Sequence, residues 1–143
     1  MRRLVSEKEY GLDSPLLTIV IERLASIYLA RKDYAKAEPL LKRSLAIWKK
    51  DVGPNHLSVT NILNSLAKLY YNKGDYAKAE PLLKRCLAIQ EKVLGPDHPR
   101  VARSLDKLGE IYRNTNRIEE AQKLAEQAAR IRTIKREEGT TTR

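Results

Sequence analysis

Cysteine occurs once in these 143 residues, at Cys86, and histidine only twice, at His56 and His98. A single thiol excludes an internal disulfide and fits a reducing compartment, with the cytoplasm as the expected location. Glycine and proline number six each and cluster at points of punctuation, which leaves long stretches rich in Leu, Ala, Lys, Arg and Glu, all good helix formers. No apolar run approaches the roughly 20 residues that a membrane-spanning helix needs. No charged-then-apolar leader opens the chain, so no secretory signal is expected. No glycine-rich phosphate loop is present. Disulfide scaffolds, membrane spans and nucleotide-binding loops therefore drop out. What remains is 42% hydrophobic, enough for a core, and 32% charged, with Lys and Arg at 28 against Asp and Glu at 18. The resulting net charge of +10 raises nucleic acid or an acidic surface as partners. Solvation of long helices is the competing reading.

The chain repeats itself. Tyr34 to His56 reads YAKAEPLLKRSLAIWKKDVGPNH, and Tyr76 to His98 reads YAKAEPLLKRCLAIQEKVLGPDH. Seventeen of these 23 positions are identical at an offset of 42. The same offset links Leu24, Leu66 and Leu108, then Tyr28, Tyr70 and Tyr112, then Ala37, Ala79 and Ala121. Each copy holds two helices. In the stretch from Leu57 to Lys73, Ile62, Leu63, Leu66, Leu69 and Tyr70 share one face, opposite Asn61, Asn64, Ser65, Lys68 and Asn72. Gly74-Asp75 ends that helix and caps the next. Boundaries are expected near 15–31, 34–51, 57–73, 76–93, 99–115 and 118–136. Pro39 and Pro81 fall about six residues into a second helix, yet the apolar pattern continues through Leu45 and Leu87, so one continuous, slightly bent helix is expected at each. One helix pair cannot bury its apolar stripe alone, whereas stacked pairs can.

These columns resemble the tetratricopeptide repeat. Leu24, Ala25, Tyr28, Ala37 and Leu41 stand where that family places its signature residues, as do Leu66, Ala67, Tyr70, Ala79 and Leu83. The third copy has Leu108, Gly109, Tyr112, Ala121 and Ala125. The 42-residue period and the phrases AEPLLKRSLAI and GPDHP are similar to the longer subclass of kinesin light chains and nephrocystin-like bacterial arrays. The resemblance implies an all-α fold, an antiparallel helix-pair solenoid of about three repeats over 12–136 (15–51, 57–93 and 99–136). Residues 1–11 match only the last turns of a preceding second helix, with Val5 in the Ile47 column, and 137–143 read as a polar tail. The last helix, with Glu119, Glu120, Gln122, Lys123 and Glu126, reads as a polar cap. At the other end, Val20, Ile21 and Ile27 are expected to lack a covering neighbour. Self-association or another chain is therefore expected at Leu4, Val5 and the first helix more than at 118–136.

The family's first helices line a concave groove that receives extended or helical peptides. The resemblance places Glu22, Arg23 and Ser26 there, then Asn61, Asn64, Ser65, Lys68 and Tyr71, then Arg103, Asp106, Lys107 and Glu110. Asparagine both donates and accepts, so it can hold a peptide backbone of any sequence. Arg103 and Lys107 lie one turn apart and suit a carboxylate. They match two basic positions of the clamp that co-chaperone members of the family use on acidic chaperone tails, but Glu22 and Ser26 stand where that clamp needs Lys and Asn. No catalytic residue, metal site or cofactor is expected. Only two histidines exist and Ser14 shares their column, which suggests a helix-start role. Cys86 shares the Ser44 column and shows no neighbouring base. The expected function is a protein-binding scaffold without catalysis. A basic nucleic-acid-binding array is the alternative, ranked behind because most of the positive charge lies outside the groove columns, at Lys42, Arg43, Lys84 and Arg85 among others.

Overall fold

The computed structural model describes residues 15–141, and the expected remnant at 1–11, with Leu4 and Val5, lies outside the described residues. Six α-helices and no strand occupy the described residues: α1 (Pro15–Ala30), α2 (Tyr34–Val52), α3 (Leu57–Asn72), α4 (Tyr76–Leu94), α5 (Pro99–Asn114) and α6 (Ile118–Thr141). Five of the six end within a residue of the boundaries the periodicity predicts. The sixth runs on to Thr141 where 136 was expected. Its extension EEGTT opens on two good helix formers, Glu137 and Glu138, before Gly139. Lys135 pairs with Glu138 at 3.2 Å, and the Thr140 hydroxyl donates to the Glu137 carbonyl at 2.8 Å.

The caps follow the chemistry of their residues. Asp33 and Asp75 accept from the backbone N–H of Lys36 and Lys78 at 3.4 and 3.3 Å, opening α2 and α4. The connection before each is a left-handed residue, Lys32 at φ 60° and Gly74 at φ 80°, with Asn116 at φ 63° in the third copy. His56 and His98 cap α3 and α5, their Nδ1 atoms accepting from the N–H of Ser58 and Arg100 at 3.1 Å. Helices α2 and α4 run unbroken through Pro39 and Pro81. The carbonyls four residues back belong to exposed Ala35 and Ala77, where water can replace the missing donor.

The chain divides into two compact units, Met1–Leu69 and Tyr70–Arg143. In the first, α1 packs on α2. Ile21, Ala25, Ala37, Leu41 and Ile47 are buried there, as are Val59, Ile62, Leu63, Leu66 and Leu69 of α3. Small Ala25 and Ala37, both fully buried, allow close approach. Ile21, expected to be uncovered, is only 5% exposed because it faces this core; Val20 and Ile27 are exposed at 61% and 51%. In the second unit, α5 packs on both α4 and α6. Val101, Ala102, Leu105, Ala128 and Ile131 form its cluster, with Leu87 and Leu124 packed against it.

Candidate functional site

The expected groove residues project from the first helix of each pair, where the apolar side is committed to the core. In the first unit, Arg23 and Lys68 are exposed and Glu22 is half-buried. The Glu22 carboxylate accepts from the Trp48 indole N–H at 3.3 Å, so it is engaged by α2. The Ser26 and Ser65 hydroxyls donate to the carbonyls of Glu22 and Asn61 at 3.0 and 3.1 Å, turning back onto their own helices. Asn64 is half-buried, and its Oδ1 is buried without a hydrogen-bond partner.

In the second unit, Arg103, Lys107 and Glu110 are exposed. Asp106 is bound by Arg132 of α6 at 2.5 Å. The Tyr71 hydroxyl accepts from Asn114 Nδ2 at 3.1 Å, and its ring meets Tyr76 edge-on at 5.4 Å. Glu22 and Asp106 share a repeat column, and so do Trp48 and Arg132. Two acidic members of the stripe are thus tied to the second helix of their own repeat. The cations Arg23, Lys68, Arg103 and Lys107 form no ion pair among the described residues.

Sequence reasoning missed a polar clasp in the second unit. Arg117 holds Glu120 through Nε and NH2 at 3.1 and 2.8 Å, holds Glu80 through NH1 at 2.6 Å, and lies 3.9 Å over the Tyr112 ring. Hydrogen bonding to Glu120 raises the Arg117 pKa and lowers that of Glu120. Burial pushes the Glu80 carboxyl up, but Lys84 at 2.8 Å and Arg117 outweigh it and hold Glu80 below the usual carboxylate range. The signal was present: Asp33 and Asp75 become Arg117 in the third copy. A second missed contact is Ser104, whose hydroxyl donates to buried Gln90 at 2.5 Å beside Cys86 Sγ at 3.9 Å. Cys86 is fully buried. No cluster of three or more His, Cys, Asp or Glu side chains suited to a metal ion occurs among the described residues.

A tetratricopeptide repeat family model matches residues 16–92 and again 58–134. The chain belongs to the tetratricopeptide repeat family. Similar solved structures include BtubC (BKLC) from P. vanneervenii, with TM-score 0.83 and 23% identity over 92% of this chain and 53% of that one. Two structures of nearly identical TPR-like repeats of a Podosopora anserina kinesin light chain also align. One gives TM-score 0.77 and 28% identity over 92% of this chain and 62% of that one. The other gives 0.74 and 30% over 86% and 58%. This chain therefore spans between 53% and 62% of the length of these solved chains. A comparison with curated protein sequences finds no match. The fold is the all-α helical repeat of kinesin-light-chain-like TPR proteins, with about three repeats. TPR proteins are generally non-catalytic scaffolds for other proteins. No helix among the described residues is long and apolar enough to cross a membrane.

Proposed function

We propose that this TPR chain is a non-catalytic cytoplasmic scaffold that binds an acidic peptide segment of another protein through the outward faces of its first helices, α1 and α3 in the first unit and α5 in the second. The observation that carries this reading is the division of charge on those stripes. Glu22 and Asp106 are held by Trp48 and Arg132, whereas Arg23, Lys68, Arg103 and Lys107 have no ion-pair partner among the described residues. At Asp106, whose charge Arg132 offsets, the stripe is therefore more basic than its residue count suggests, while Glu22 keeps its charge but is turned onto α2 by the neutral Trp48 indole. Arg103 and Lys107, one turn apart on α5, suit a carboxylate. Asn61 and Asn64 carry amides that suit a peptide backbone, and the Asn64 oxygen lacks a donor. Glu110 and Tyr71 lie beside them on the sequence stripe and would set the limits of an acidic ligand, Glu110 by repulsion.

A fluorescein-labelled peptide of alternating Glu and Ala tests the reading by polarisation, with a Lys-Ala peptide as control. Binding of the acidic peptide alone, weakened about tenfold or more in Arg103→Glu/Lys107→Glu, is expected. Equal binding of both peptides, or indifference to the double substitution, would overturn it. A nucleic-acid reading rests on the same cations and the overall +10 charge. It predicts tight, sequence-selective binding to labelled DNA or RNA at physiological salt, where the scaffold reading predicts weak, sequence-blind binding that collapses as salt rises.

A further inference from the structure

Helix α1 carries an apolar face that nothing among the described residues covers. Leu16, Val20, Leu24 and Ile27 lie at i, i+4, i+8 and i+11, exposed at 77%, 61%, 40% and 51%. In the second and third copies the columns of Val20, Leu24 and Ile27 hold Ile62, Leu66 and Leu69, then Ser104, Leu108 and Ile111, all buried. The second unit shows what covers this face: α4, the second helix of the preceding copy. Cys86 and Gln90 meet Ser104, Lys84 sits 6.0 Å over Tyr112, and Glu80 grips Arg117. Carried back by the repeat offset, the columns of Cys86, Leu87 and Gln90 fall on Arg2, Arg3 and Ser6, which lie outside the described residues.

We infer that the α1 face of one copy docks on α6 of a second copy, head to tail, continuing the α4–α5 packing between chains. Carried forward by one repeat, the α4 contact residues become exposed Gln122, Glu126, Ala129 and Arg132, while the Cys86 column becomes Ala128, already buried in the core of the second unit. Their counterparts on the first copy are Asp33, Tyr28 and Val20, flanked by Lys36. Two columns change on both sides at once, and in compensation. Within the chain, Lys84 lies over Tyr112 beside the charge of Glu120. Between chains, Glu126 falls over Tyr28, where Lys36 already sits 5.6 Å from the ring. Within the chain, Glu80 accepts from Arg117. Between chains, the Gln122 amide faces the Asp33 carboxylate as its donor. Size compensates as well. Exposed Ala125 and Ala129 replace Leu83 and Leu87 on the α6 side, while Val20 and Leu16 replace Ser104 and Arg100 on the α1 side. The guanidinium of Arg132 is drawn to Asp106, which leaves its methylenes for Val20. Such a contact is heterologous, joining unlike faces, so each copy added leaves one α1 face and one α6 face free for the next.

Sedimentation equilibrium over a concentration series up to the millimolar range reads the association. The mass-average is expected to climb past two copies without a plateau. Glu126→Lys and Lys36→Glu, both at exposed positions, should each weaken it about tenfold, and the double exchange Glu126→Lys/Lys36→Glu should restore it. Val20→Glu should abolish it with an unchanged circular dichroism spectrum. An equimolar mixture of Val20→Glu and Glu126→Lys/Ala129→Arg should stop at two copies. A monomer at all concentrations overturns the inference. So does a closed dimer that Val20→Glu breaks but Glu126→Lys leaves untouched, since that pairs α1 with α1. The acidic-peptide assay is independent, because Val20 and Ala129 lie off the stripe it probes.

Discussion

Helices α1 and α5 stand in the same columns of the repeat, 84 residues apart, and meet opposite fates. Helix α5 carries Arg100, Arg103 and Lys107 among its sixteen residues yet buries Val101, Ala102, Ser104, Leu105, Leu108, Gly109, Ile111 and Tyr112. Helix α1, PLLTIVIERLASIYLA, is far more apolar and, among its described side chains, buries only Thr18, Ile21 and Ala25. Burial in a repeat protein is thus decided by the neighbour and not by the helix itself. α5 lies between α4 and α6, whereas α1 packs on α2 and leaves its other apolar face exposed. The face toward the partner within the repeat is satisfied in both, and the face toward a preceding repeat is satisfied only in α5.

The sharpest test of that contrast is one substitution made twice in one column. Ile111 is fully buried and Ile27 half exposed. Ile111→Ala removes transfer energy and leaves a cavity, a loss of about 2–5 kcal/mol, while Ile27→Ala is expected to cost under about 1 kcal/mol. Urea unfolding of both variants in dilute solution measures the difference. Equal losses would mean that α1 is covered after all.

A reciprocal exchange follows in size. Ser104→Val gives α5 the residue that α1 carries. It leaves the buried Gln90 carbonyl oxygen without its donor, at a cost of about 1–3 kcal/mol. Val20→Ser makes the opposite change at an exposed position and should stay within about 0.5 kcal/mol of the parent. A harmless Ser104→Val would show that the Ser104–Gln90 bond does not hold α5 to α4.

The same contrast explains what could be read before the structure. The 42-residue offset placed the helices because a repeat states each element three times, and the breaker Gly95-Pro96 recurs as Gly53-Pro54 while Gly74-Asp75 answers to Lys32-Asp33 and Asn116-Arg117. Column arithmetic also marked Val20 and Ile27 as uncovered. It failed at Ile21, which differs from Val20 by one residue but by about 100° around the helix, and so faces α2. It failed again at the end of α6, where no breaker other than Gly139 stops a run of helix formers. Among the stripe residues, the pattern located the side chains but not their partners. Trp48 and Arg132 share neither chemistry nor identity, yet both reach back to the acidic column at Glu22 and Asp106. Cross-helix polar pairs depend on side-chain reach, which periodicity does not encode.

The polar clasp gives the second unit a pH dependence of its own. Burial alone would raise the Glu80 carboxyl, but Lys84 and Arg117 more than offset it, so Glu80 titrates below its ordinary value of 4.5. A depressed carboxyl contributes stability that is fully present above the unfolded value and is lost as pH falls through the folded one. The urea midpoint should therefore fall as pH drops below about 4.5, and Glu80→Gln should flatten that fall while lowering the midpoint at neutral pH. Asp33 and Asp75 stand in the column of Arg117, so no arginine of that column can hold Glu38 of the first unit as Arg117 holds Glu80. An acid limb that Glu80→Gln leaves as steep as in the parent would assign the pH dependence to other carboxylates.

The smallest effect concerns the residue that turns each first helix into its second. Lys32, Gly74 and Asn116 occupy one column, and all three are left-handed, at φ 60°, 80° and 63°. An L-residue with a Cβ pays roughly 1–2 kcal/mol in that region, glycine almost nothing, and asparagine less than most because its side chain can bond locally. Glycine also gives the unfolded chain more freedom, which returns roughly 0.5–1 kcal/mol of that difference. Lys32→Gly should thus stabilise the chain by about 0.5 kcal/mol, and Asn116→Gly by less. Gly74→Ala runs the comparison the other way. A Cβ there meets nothing within 4 Å, so any loss, expected near about 1 kcal/mol, comes from backbone conformation alone. Thermal unfolding of the three variants ranks them, and a Lys32→Gly chain less stable than its parent would show that the lysine side chain contributes more than its backbone costs.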